Sequence, residues 1–276
     1  MRQSVTNRRE LTCPYEVDAG IGARSRIGMV VTSNDQTLSY EARAMLTLPG
    51  VALYESRLQS TRARNRPIAF DDLGRLADQL DGALTQINSL RSSEVIALGC
   101  TSAAMVIGAV ELERRILAVH PGARTTDPYT ALQAALRALA SRQVGFLSPY
   151  PPDVAAAMIG RMEAAGFAIP VAAVFHNETG MAGDDSPFVS AASIRAAVRE
   201  IAAAARVDTV VIACTQMRAA AIIAALEQEI GIRVVSSNQA LCWHALRLAG
   251  CDDLLPQWGE LFRIPAATDG GARVPR

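Results

Sequence analysis

The chain has 276 residues, half of them hydrophobic and a fifth charged, with 27 basic and 27 acidic side chains and a formal net charge of zero. That length can bury a proper core in one large or two smaller domains. The even balance excludes the basic excess that nucleic-acid or membrane-surface binding needs, and no apolar run approaches the ~20 residues of a membrane span.

In chain order, residues 1–23 carry charge but no apolar stretch of the kind a secretory leader has, and form an expected flexible N-terminal segment. A first strand is predicted near 27–32, ending at Thr32-Ser33-Asn34, and leads into a helix near 36–48. Strands follow near 51–56, 95–99 and 123–126, with helices near 71–90, 102–118 and 129–141. The pattern then starts again, with strands near 143–148, 169–175, 208–213 and 232–236 and helices near 153–165, 191–205, 216–229 and 239–249. A polar loop occupies 176–187, and 263–276 form a tail whose end, AATDGGARVPR, is rich in Gly and Pro. The strands are short continuous apolar runs, as expected where helices cover both faces of a parallel sheet. Their alternation with long helical stretches implies right-handed βαβ crossovers and an α/β fold.

Internal repeats give the architecture. EVIALGCTSAAMVIGA from Glu94 and DTVVIACTQMRAAAII from Asp208 share one shape, and their Cys100 and Cys214 lie 114 positions apart. RIGMVVTSN and QVGFLSPYP align Gly28 with Gly145 at an offset of 117, and a third pair, from Gly122 and Gly231, is offset by 109. Three matches in one order indicate a tandem duplication, hence two Rossmann-like lobes related by a pseudo-twofold axis. The last βα unit of each copy is expected to join the opposite lobe. One lobe would then hold 24–118 with 232–262, including Cys100, and the other 119–231, including Cys214.

Ligands of parallel sheets bind beyond the carboxyl ends of the strands. Those ends carry Asn34, Cys100-Thr101-Ser102, Ser148-Pro149-Tyr150, Asn177, Cys214-Thr215-Gln216 and Ser236-Ser237-Asn238. Thiols, hydroxyls, amides and a phenol, with backbone N–H groups at helix starts, suit the carboxylates of a small acid. Each of the two cysteines stands where a helix begins, where the macrodipole is expected to lower a thiol pKa toward neutrality.

The other groups have blander readings. The five cysteines are odd in number and form no CxxC pair, so free thiols in a reducing, cytoplasmic setting are expected. Cys13 sits in the N-terminal segment, Cys242 on a helix and Cys251 after a helix stop. His244 reads as a packing group, His120 as a solvated turn residue, and His176 as a neighbour of Asn177. Three scattered histidines give no metal-ligand spacing, and there is no GxGxxG or Walker sequence, so neither a metal nor another cofactor is implied.

SSNQALCWHALRLAG, TTDPYTALQAALRAL, LSPYPPDV and GCTSAA resemble the aspartate/glutamate racemase superfamily. They are most similar to its branch of maleate cis-trans isomerases, arylmalonate decarboxylases and ectoine-utilization racemase-like proteins. The resemblance covers about 26–250 and implies two αβ halves, each giving one cysteine to a shared cleft. Glutamate racemases have His after the second Cys-Thr and Asn after the first Cys, where this chain has Gln216 and Thr101. The decarboxylase lacks the first cysteine, whereas both remain here. The resemblance implies Cys100 and Cys214 as catalytic residues. It implies Asn34, Tyr150 and Asn177 as carboxylate-binding residues, with Thr101, Ser102 and Thr215 as further donors. The expected activity is covalent isomerization of a small cis-dicarboxylate, maleate to fumarate, on a small-molecule substrate alone; a homo-oligomer is compatible with it. Two-base racemization, including that of the ectoine-utilization group, is the enzymatic alternative, and a small-acid binding protein is the non-enzymatic one.

Overall fold

The computed structural model describes residues 8–60, 68–88, 90–175 and 185–265. It contains two four-stranded parallel sheets of identical topology. In the first copy the strands are β1 (Ser25–Thr32), β2 (Val51–Leu58), β3 (Val95–Gly99) and β4 (Arg124–Thr126), in the order β2-β1-β3-β4. In the second they are β5 (Gln143–Ser148), β6 (Ala168–Val174), β7 (Thr209–Ile212) and β8 (Arg233–Ser236), in the order β6-β5-β7-β8. The duplication is thus a structural one. Gly28 and Gly145 occupy equivalent strands for the same reason: a Cβ on Gly28 would lie 2.4 Å from Ile96, and one on Gly145 would lie 2.3 Å from Ile201. Only a bare backbone admits those neighbours.

The helices of the first copy are α1 (Leu38–Met45), α2 (Phe70–Arg75), α3 (Ala77–Leu84), α4 (Thr101–Ile107), α5 (Ala109–Val119) and α6 (Pro128–Ala138). The second copy has α7 (Pro152–Ala164), α8 (Ala191–Ala204), α9 (Ile223–Ile230) and α10 (Ser237–Leu248). Local chemistry sets their starts. Asp127 accepts the N–H groups of Tyr129 and Thr130, with Pro128 in the first turn, and Ser236 forms a capping box with Gln239. The helix expected at 102–118 is two helices, because Gly108 takes a positive φ of 87° and ends α4. The helix expected at 71–90 likewise divides around Leu76. The one expected at 216–229 begins late: residues 215–219 are irregular and a 3₁₀ turn, Ala220–Ile222, precedes α9. No helix among the described residues is long and apolar enough to cross a membrane.

The expected exchange needs correction. β4 pairs with β3 and β8 with β7, so both last strands stay in the sheet of their own copy. A split into 24–118 with 232–262 and 119–231 therefore misplaces both. What crosses is the helix after each last strand. α10 packs on β3, β4, α1 and α6, and α6 packs on β8. The physical reason is that each of these helices has no later strand of its own sheet to return to, so its apolar surface is free to pack against the other copy. Hydrogen bonds seal the crossing: Arg124 donates to the Leu248 carbonyl at 2.7 Å, and Thr126 Oγ1 meets His244 Nδ1 at 2.8 Å.

Candidate active site

In a 2-1-3-4 sheet the chain leaves β1 in one direction and β3 in the other, so the crevice opens between the ends of these two strands. Here that happens twice, and the two crevices share one cleft of about 590 Å³, part of it continuous with solvent. From the first copy, the β1 end contributes Thr32 and Asn34, and the β3 end Cys100 and Ser102. From the second, the β5 end contributes Pro149 and Tyr150, and the β7 end Cys214, Thr215 and Gln216. The remaining wall is Ser60, Ile68, Leu73, Leu76 and Ser186. Among the described residues, no Lys, Arg or His lines it.

Most of the residues expected from the sequence therefore meet. Thr101 does not line the cleft: its hydroxyl donates to Ser237 Oγ at 2.9 Å, on α10 behind the site. Ser237 Oγ also accepts the Cys214 N–H at 3.1 Å, so one serine joins the Cys-Thr motifs of both copies. Asn177, like His176, lies outside the described residues. The sequence reading missed the Ile68, Leu73 and Leu76 wall, which has no signal apart from a helix's ordinary apolar spacing. Gln216, read from the sequence as one of the polar strand-end residues but not among the substrate-binding residues that the resemblance implied, also lines the cleft.

The two thiols sit in unlike surroundings. Cys100 is half-buried at the N-cap position of α4, near the N–H groups of Ser102 and Ala103 but without a side-chain capping hydrogen bond, and with the Ser102 hydroxyl 3.9 Å away. Cys214 is buried, receives the Gln216 N–H and accepts a hydrogen bond from the Tyr150 phenol. Tyr150 also bonds with Ser102, which puts its hydroxyl between the two cysteine loops. Burial pushes both thiols up, Cys214 to about 12, with the nearby Asp35 charge adding to the rise. The expectation of thiols lowered toward neutrality is thus overturned: backbone N–H groups, at a helix start for Cys100 but in an irregular turn for Cys214, pull each sulfur back, and desolvation is the larger effect. Burial, reinforced by charge on the two sulfurs, holds the Tyr150 phenol protonated, so it is a donor.

Behind the cleft, Asp35 Oδ1 accepts the N–H groups of Thr37 and Leu38, both at 2.8 Å, and fixes the turn that presents Asn34. Arg57 ties the same turn from outside, donating to the Thr32 and Asp35 carbonyls at 3.1 and 3.0 Å. Glu41 is 6% exposed, and burial raises its carboxyl to about 7. Cys242 and Cys251 are buried and Cys13 is exposed, none of them in the cleft wall. Among the described residues no group of three or more His, Cys, Asp or Glu is placed to hold a metal ion.

The two described histidines, His120 and His244, are structural. His120, expected in solvent, is buried, with Nε2 2.9 Å from the Leu84 carbonyl. His244 stacks on Trp243, and burial pushes its imidazole down to about 4. A depressed folded-state pKa favours the fold above the unfolded value of ~6.5, and that stability is lost as pH falls through 4. Its size is on the order of 3 kcal/mol. Denaturant titrations at pH 7 and 4 are expected to show a smaller loss of stability on acidification for His244→Gln than for the wild type; equal losses would contradict the assignment. Glu41 acts in the opposite sense, favouring the fold below 4.5 and losing that contribution as pH rises through about 7.

The family model described as arylmalonate decarboxylase matches residues 76–262. A maleate isomerase of Nocardia farcinica is 29% identical over 255 residues, covering 88% of this chain and 97% of that one. Among solved structures, a cysteine-to-serine variant of the Nocardia farcinica maleate cis-trans isomerase, with a covalently bound succinylcysteine intermediate, superposes with a TM-score of 0.74. It is 25% identical, and the match covers 87% of this chain and 98% of that one. The maleate isomerase of Pseudomonas putida gives 0.75 at 20% identity, covering 87% and 98%, and an arylmalonate decarboxylase gives 0.67 at 23%, covering 87% and 99%; both share the fold.

Proposed function

The chain belongs to the arylmalonate decarboxylase family, and from that premise we propose that it isomerises a small cis-unsaturated dicarboxylate such as maleate to the trans form. The observation that carries this reading is the pair of thiols in one cleft, one from each copy, in unlike surroundings. A single-thiol decarboxylation has no use for the second. Kinship with the Nocardia maleate isomerase, and the succinylcysteine held by its serine variant, support a covalent route.

In that route the Cys100 thiolate adds to one alkene carbon. The electron pair of the double bond moves to the other carbon and into its carboxylate, giving an enediolate-like dianion. Cys214, which keeps its proton to high pH, delivers it to that carbon. The product is a succinyl thioether whose central bond is single and turns freely. After rotation the Cys214 thiolate takes a proton back, the carbon–sulfur bond breaks, and the trans diacid leaves with Cys100 regenerated. Asn34, Ser102, Thr215 and Tyr150 are the donors for the two carboxylates, and the Tyr150 phenol, which stays protonated, faces the charge as it develops. The described wall offers a dianion hydrogen-bond donors and backbone N–H groups, with no cation among its described residues.

A proton NMR screen in deuterated water tests the reading, with maleate, aspartate, methylmalonate-type acids and ectoine-derived amino acids as substrates. The maleate vinyl signal should give way to that of fumarate. Deuterium appearing at the α-carbon of an amino acid, with maleate inert, would make the enzyme a racemase; loss of carbon dioxide from a malonate would make it a decarboxylase.

A further inference from the structure

The two cysteines differ in what holds the chain that follows them. After Cys100 the backbone enters α4 at once, and the Ala104 N–H closes on the Cys100 carbonyl at 3.0 Å. After Cys214 there is no such helix: residues 215–219 are irregular, and the Cys214 carbonyl accepts only a turn bond from the Met217 N–H, at 3.2 Å. This segment supplies Thr215 and Gln216 to the cleft wall and the Gln216 N–H to the Cys214 sulfur. A stretch without its own hydrogen-bond ladder has to be fixed from outside.

It is fixed by groups from α1 and α10. Thr37 Oγ1 donates to the Gln216 carbonyl at 2.9 Å. Asn238 Nδ2 donates to the Thr215 carbonyl at 2.8 Å and, with its other hydrogen, to Glu41 Oε2 at 2.8 Å. Glu41 Oε1 accepts the Ala220 N–H at 3.0 Å. Thr37, Glu41 and Asn238 are all buried, at 2%, 6% and 0% exposure, so water does not compete for these bonds. A carboxylate deep in a helix interface, with no cation among its hydrogen-bond partners, needs a reason to be there. Two N–H donors from different elements, one of them the chain beyond Cys214, supply it.

We propose that Glu41, acting with Thr37 and Asn238, is a positioning residue that clamps the Cys214 loop of the second copy onto the first, and so sets the proton-transfer geometry of Cys214. The reaction half of this statement rests on the function proposed above; the clamp does not. Glu41→Gln is the discriminating variant. Both partners of Glu41 are donors, and glutamine has one acceptor oxygen and one NH₂ group, so one partner must face a donor. Thr37→Val removes the bond to the Gln216 carbonyl at nearly constant volume, and serves as the second variant should Glu41→Gln not fold.

Two readouts are used. Peptide-resolved alkylation with iodoacetamide compares Cys214 with Cys100 in each folded variant; the clamp predicts that Cys214 alone reacts about tenfold faster, by local opening. Steady-state kinetics and intact-mass spectrometry with maleate give the second. The expected result is a kcat lower by roughly ten- to a hundredfold, a KM within about threefold of the wild type as for an interaction used only in the chemical step, and a substrate-sized adduct accumulating on Cys100. Wild-type alkylation and kcat in both variants would overturn the clamp. So would a loss of kcat with both cysteines equally exposed, which is what general loosening produces. Maleate inert toward the wild type, together with selective alkylation of Cys214 in the variants, would refute the reaction assigned above and uphold the clamp.

Discussion

Cys100→Ala is expected to lower turnover of maleate at least about a thousandfold and to leave no substrate-sized mass on the protein. Among the described residues lining the cleft, only Cys100 and Cys214 carry a strong nucleophile. Cys214 is the poorer of the two, since burial pushes its thiol to about 12 and the Tyr150 phenol hydrogen-bonds to its sulfur. Cys100 is half-buried and already holds two backbone N–H groups and the Ser102 hydroxyl around the sulfur that must carry charge. Its thiol is raised as well, so thiolate is a minor form near neutrality, and kcat should climb with pH on the alkaline side as that fraction grows. Cys100→Ser should be nearly as damaging, because an alcohol at the same position is a far weaker nucleophile at neutral pH. Intact-mass spectrometry after incubation with maleate reads the result. An adduct on Cys214 in the alanine variant would reverse the two roles; full activity would leave both cysteines as packing residues.

What the sequence made legible follows from which physics is local. The inner strands β1, β3, β5 and β7 stand close to their expected places because a parallel strand covered on both faces must be continuously apolar, and runs such as VVIA at 210–213 have no competing reading. The polar half of the cleft was legible for a related reason: most residues just past the carboxyl ends of β1, β3, β5 and β7 face the crevice, Thr101 being the exception that turns to Ser237. The helix exchange was legible only in part. Duplication implies that the copies embrace, but whether strand or helix crosses depends on edge pairing, and β4 and β8 found partners at home.

The residues that escaped are those whose role exists only in three dimensions. Leu73 and Leu76 have the spacing of any helix's core face, and only the division of the expected helix around Leu76 turns them to the cleft. Glu41 is a single acid on a short amphipathic helix, where solvent is the natural guess; α10 arriving from the other copy buries it. The thiol pKa values were misjudged because a helix start is a local feature and desolvation is not. The N–H groups are present at both sulfurs, yet the surrounding copies remove more hydration than those groups replace.

Cys214→Ser should stop turnover as completely as Cys100→Ala, at least about a thousandfold, but with the opposite mass signature. The addition step needs only the Cys100 thiolate and the carboxylate donors, all of which the variant keeps. A proton from the Tyr150 phenol or from water can quench the carbanion slowly, giving the same succinyl thioether. Release is the harder half. Taking a proton from a carbon beside a carboxylate requires a base on the Cys214 side, and a serine hydroxyl is a far weaker one than the thiolate that the first proton transfer leaves behind. The adduct should therefore build up on Cys100 to near one equivalent and persist through gel filtration. Peptide mapping would place it on the fragment that contains Cys100. The serine variant would also separate the covalent route from two-base racemization, in which neither cysteine bonds to carbon and no variant holds added mass. A Cys214→Ser protein that turns over maleate at the wild-type rate would remove Cys214 from the chemistry. One that is inactive and stays unmodified, while the wild type isomerises, would mean that addition and proton transfer are a single concerted event requiring both thiols.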